Sequence, residues 1–103
     1  MADDVPARLW LGDASAAARV LRARPAHRRA WLRKRMLHEM ERARAHVART
    51  GRAPPRRGDG SLIAVALRRK PAGEPPLSDA VFCECLVDVL MCLAQMRGCT
   101  VAH

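Results

Sequence analysis

Arg28, Arg35, Arg42 and Arg49 recur every seven residues along one uninterrupted stretch of chain. On a helix this spacing returns a side chain to nearly the same face every two turns, giving a ridge about 30 Å long. A guanidinium every two turns suits a polyanion. Each planar fork donates to phosphate oxygens, and the regular rise follows a nucleic-acid backbone. Arg29, Arg33, Lys34 and Arg44 add charge around the ridge, Arg56 and Arg57 follow it, and only Glu39 and Glu41 counter it locally. Arg28, Arg29, Arg33, Arg35, Arg42, Arg49, Arg56 and Arg57 are therefore the candidate phosphate contacts. Base reading calls for amide side chains, yet the chain has no Asn and one Gln, Gln95. Binding without sequence preference is the expectation. The competing arrangement turns the ridge to solvent, or pairs it with Glu84 and Asp88.

No other constellation assembles a chemistry. Cys83 and Cys85 would point to different sides of a helix. Cys85, Cys92 and Cys99 are two turns apart, which separates neighbouring sulfurs by about 10 Å, too far to share one zinc. They read as structural thiols. His27, His38, His46 and His103 are scattered, with neither a His-Glu-x-x-His pair nor a nucleophile triad. Gly58-Asp59-Gly60 beside Arg56 and Arg57 lacks the lysine and glycines of a phosphate-cradling loop and reads as a tight turn. A protein that is not an enzyme, with no cofactor and no metal, is expected.

The elements that must position these residues follow from periodicity and breakers. Residues 1–12 read as an irregular lead-in anchored by Leu9, Trp10 and Leu11. Asp13 is the expected N-cap of a first helix, Ala14 to Arg24, which Pro25 stops while opening the next. That second helix, about Ala26 to Thr50, is the longest and ends at Gly51. Leu32, Met36, Met40, Ala43 and Val47 form its apolar stripe, widened by Leu37 and Ala30. Residues 51–60 form a Gly, Pro and Arg loop. Ser61 to Arg69 reads as a short helix capped by Asp59 or Ser61, although its apolar run would suit a buried strand almost as well. A second breaker spans residues 70–77. Ser78 is the expected cap of a last helix running to about Arg97, with Phe82, Leu86, Leu90 and Leu93 in the core. Its polar residues, Glu84, Asp88 and Gln95, occupy one thin line, so it needs cover on more than one side. The fold expected is an all-α bundle of about four helices, one long and basic, the C-terminal one apolar.

Charge distribution sharpens the picture. The 103 residues carry a formal +9, with about +12 in residues 19–57 and about −3 in residues 74–103. This field favours nucleic acid first and acidic protein surfaces second. One domain, residues 1–103, fits the length. Met1-Ala2-Asp3-Asp4 is acidic where an export signal would be basic, and the most apolar window, Ala80 to Met96, contains Glu84 and Asp88 and is short for a bilayer span. A cytoplasmic protein without membrane association is expected.

Thr50-Gly51-Arg52, two prolines, then Gly58-Asp59-Gly60-Ser61-Leu62, set between an arginine-rich helix and a short apolar one, form a recurring pattern. Over residues 9–97 the chain resembles small alphaproteobacterial proteins encoded beside the packaging genes of gene transfer agents, phage-like particles that carry host DNA. The resemblance is to the small terminase of that group. It implies a non-enzymatic, multimeric DNA-packaging component that engages double-stranded DNA and presents it to a large terminase subunit, where the nuclease and ATPase reside. The Asp13–Arg24 helix, Pro25 and the long helix fit poorly to a helix-turn-helix, so recognition of a specific initiation site is not expected. The alternative is a basic helical adaptor or regulator that binds an acidic protein.

Overall fold

The computed structural model describes residues 11–52 and 61–96. Among these residues four helices form the bundle: α1 Leu11–Arg22, α2 Ala26–Thr50, α3 Leu62–Leu67 and α4 Ala80–Met96. No strand occurs among the described residues. The radius of gyration, 13.8 Å, is far below the roughly 30 Å of an unfolded chain of this length. The helices thus form a compact all-α bundle. The expectations for Leu9, Trp10, Arg56, Arg57, Gly58, Asp59, Gly60, Arg97, Cys99 and His103 lie outside the described residues.

The centre of the bundle is α1. Asp13, Ala14, Ser15, Ala16, Ala17, Ala18, Val20 and Leu21 are all buried, and α2, α3 and α4 each pack against this helix. Alanines on every side let three neighbours approach closely, since interaxial distance follows side-chain size. The segment after α3 is tied along α1: the Ser15 hydroxyl donates to Glu74, and Arg19 donates to the Ala72 carbonyl at 3.2 Å.

The start of α1 differs from expectation. The helix begins at Leu11, before the expected cap, and Asp13 is buried inside it. Its carboxylate accepts instead from the Ile63 N–H at 2.9 Å. Ser61 Oγ accepts from Ala64 N–H at 3.2 Å. Two N–H groups that a helix start leaves orphaned are thereby satisfied, one locally and one from across the chain. These bonds select helix over strand for the apolar run 62–67, whose Leu62, Val65 and Ala66 are buried.

The second helix keeps its expected bounds. Gly51 closes it in the left-handed region at φ 73°, donating to Val47 O at 2.7 Å. Leu32, Met36, Leu37, Met40 and Ala43 are buried, whereas Ala30 is exposed and Val47 half-buried.

On α4 two expectations are corrected. The cap is Asp79, not Ser78: Asp79 Oδ1 accepts from Phe82 N–H at 2.9 Å. Both Nε and Nη2 of Arg22 donate to its Oδ2, at 2.9 and 2.5 Å, which joins the end of α1 to the start of α4. The buried stripe is Phe82, Cys85, Val89 and Leu93. Leu86 is half-buried and packs against the core, but Leu90 is 42% exposed. A helix that is apolar almost all round has no phase of its own, so its contacts with α1 decide which stripe turns inward.

Candidate functional site

The seven-residue arginine series lies on the solvent side of α2. Arg28, Arg35, Arg42 and Arg49 are all exposed. Leu32, Met36, Met40 and Ala43 hold a neighbouring face in the core, fixing the helix's rotation. The guanidinium groups of Arg28 and Arg42 make no hydrogen bond or ion pair with another described residue. Arg35 Nε donates to Glu39 Oε2 at 3.2 Å, and its guanidinium stands 5.8 Å from the centre of the Trp31 ring. Arg49 approaches the His46 ring at 3.4 Å.

Four further candidates divide differently. Arg29 turns back to the end of α1, with Nε donating to the Leu21 carbonyl at 3.0 Å. It satisfies a carbonyl that the helix terminus leaves open and sits favourably at the negative end of that dipole. Arg33 turns towards α4 and meets Asp88 at 3.5 Å; its Nε is buried with no partner among the described residues. Arg29 and Arg33 therefore have internal tasks. Arg56 and Arg57 lie outside the described residues. Of the pairings expected between the basic helix and α4, the one formed is Arg33 with Asp88, and the ridge is clear of it.

Glu39 is the hub of local neutralisation. Arg69 grips it with both terminal nitrogens, at 2.9 and 2.6 Å, and Arg35 adds a third contact. The Arg69 hydrogen bonds hold its carboxyl below the ordinary value of 4.5, against the opposing effect of partial burial. Lys34, Arg52 and Arg68 are exposed and add positive charge outside the candidate set.

Trp31 is not among the candidates that the sequence suggests. It is 58% exposed and lies three residues after Arg28 and four before Arg35, so it sits within the ridge. That spacing is present in the sequence and is the signal that could have found it. Beside it an open groove of about 670 Å³ runs between α2 and α4, with Leu37, Cys92 and Met96 among its lining.

On α4, Cys85 is buried and burial pushes its thiol up from the ordinary range. Cys83 and Cys92 are half-buried free thiols. Among the described residues no group of three or more His, Cys, Asp or Glu side chains gathers as a metal site. No described helix is long and apolar enough to cross a membrane.

Fold and surface together define a small bundle, helical among the described residues, built on a buried alanine-rich helix and with an exposed arginine series on α2. The chain belongs to the family described as Domain of unknown function (DUF7742), which it matches over residues 7–93. Neither the curated proteins nor the solved structures contain a match to it.

Proposed function

We propose that this protein is a non-enzymatic DNA-packaging component of the small-terminase type, holding double-stranded DNA on the α2 ridge with little sequence preference and presenting it to a large terminase subunit. The observation that carries this reading is the exposure of Arg28, Arg35, Arg42 and Arg49 together, with the Arg28 and Arg42 guanidinium groups unpaired among the described residues. Four guanidinium groups over about 30 Å present positive charge along a length that a phosphate backbone can follow. Val87 and Leu90, 49% and 42% exposed on the apolar α4, give a second copy or the packaging motor an apolar surface to cover. In this reading the long basic helix is the DNA track, the C-terminal helix is the assembly surface, and the protein acts in the cytoplasm.

Charge reversal of Arg35 and Arg42 to Glu tests it. Affinity falls for every DNA sequence alike, and the salt slope flattens by about 0.9 for each phosphate no longer neutralised. Unchanged affinity and slope remove the ridge from the interface.

The exposed arginine ridge also suits a second reading, a basic adaptor bound to an acidic protein. Molar mass by light scattering under reducing conditions separates the two. A multimer of defined size supports the packaging component, and a monomer that ignores polynucleotide supports the adaptor.

A further inference from the structure

We infer that Trp31 and the groove beside it form a stacking site for an unpaired nucleobase, so that this surface also grips single-stranded or locally opened nucleic acid. The inference rests on the reading of the α2 ridge as a phosphate track. Exposure, position and charge carry it. The indole is 58% exposed although it is one of the largest apolar groups on α2. It lies within about one turn of both Arg28 and Arg35, so a backbone following the ridge passes over it. Its surroundings are cationic, with Lys34 and Arg35 beside the ring in the groove's lining and Glu41 as the one carboxylate among the described lining residues.

An aromatic face between phosphate-binding cations is the arrangement by which proteins hold single strands. Every base offers a π face, and stacking adds affinity whatever the sequence. Arg35 stands against the ring at 5.8 Å, in the geometry by which a guanidinium supports such a stack. Leu37, Cys92 and Met96 add apolar groups to the groove's lining, and Gln95 adds an amide. A base in a closed duplex shows only its edges in the grooves and has no free face to offer. An apolar helix of another protein laid in the groove would cover Lys34 without supplying it a charge partner. The nucleotide meets both requirements, with the base on the ring and the phosphate on the cations.

The test compares a labelled oligo-dT strand with a duplex of equal length at a series of salt concentrations, for the unmodified chain, Trp31→Ala, Trp31→Phe and the Arg35→Glu, Arg42→Glu pair. Trp31→Ala should weaken the single strand by about tenfold or more, the effect expected for one stacked base. It should leave the salt slope unchanged, since no charge is removed, and leave duplex affinity nearly unchanged. Trp31→Phe should recover most of the single-strand affinity. Equal weakening on strand and duplex, or none on either, overturns the stacking site. If the Arg pair abolishes binding while Trp31→Ala does not weaken it, the ridge stands and the stacking site falls. If the unmodified chain binds neither nucleic acid, the ridge itself is wrong. A Trp31→Ala variant that dissolves a multimer but binds oligo-dT normally overturns the stacking site and assigns the groove to a second copy.

Discussion

Helices α1 and α4 invert the relation between hydrophobicity and burial. Along α4, 17 residues from Ala80 to Met96, the residues are apolar apart from Glu84, Asp88 and Gln95. Yet only Phe82, Cys85, Val89 and Leu93 are buried, and Val87, Leu90 and Met96 meet water. Along α1, 12 residues with Asp, Ser and two Arg among them, an unbroken run from Asp13 to Ala18 is buried, then Val20 and Leu21. Side-chain volume accounts for the difference. A helix of alanines is thin enough for three neighbours to close on it, whereas Leu and Val on most sides hold neighbours off. The centre of this bundle goes to the slimmest helix, and the greasiest one is left with a free flank.

The hardest blow to this comparison is a larger side chain in the slim helix. Ala18 is fully buried, so Ala18→Leu should cost about 1–3 kcal/mol by overpacking. Urea unfolding followed by circular dichroism measures it; a neutral result would mean that α1 has room to spare. Acid gives an intermediate effect, through the ties that anchor α1 and α3 to their neighbours. Asp79 is held below its ordinary 3.8 chiefly by the Arg22 hydrogen bond, and Glu39 below 4.5 chiefly by Arg69. A carboxylate depressed on folding stabilises the fold above its ordinary value. That contribution disappears as pH falls from about 4.5 through the lower folded values. Thermal midpoints should therefore drop over that window, and Glu39→Gln should flatten the drop while lowering the midpoint at neutral pH. An acid limb of unchanged steepness in that variant would show that the Arg69 contact contributes nothing. The smallest effect belongs to the free flank of α4. Leu90→Ser should change unfolding free energy by no more than about 0.5 kcal/mol, while reducing any self-association seen by light scattering. A large drop in stability of the monomer would place Leu90 in the core after all.

Local signals carry α2 almost completely. A breaker at Pro25, a left-handed Gly51 and a clean apolar stripe bound and orient the helix without help from distant residues, and it ends where they place it. Asp13 shows the opposite situation. Its type suits a helix cap, but the N–H it serves belongs to Ile63, 50 residues later, and no local pattern encodes that pairing. On α4 the choice between the stripe through Leu86 and Leu90 and the stripe through Cys85 and Val89 lies with α1. Near the candidate site, spacing identifies the exposed ridge of four arginines. It does not distinguish Arg29 and Arg33, whose partners Leu21 and Asp88 come from other helices. Trp31 escapes a reading that follows charge alone, although its spacing from Arg28 and Arg35 is present in the sequence.

The Asp13 to Ile63 hydrogen bond also orders events in time. A six-residue helix is too short to persist alone, because the cost of its first turn is not recovered. Part of its N-terminal capping comes from Asp13 and requires a 50-residue loop to close. In refolding, α3 should therefore appear late, after α1 has formed, and its helicity is a clock for the docking of α3 on α1.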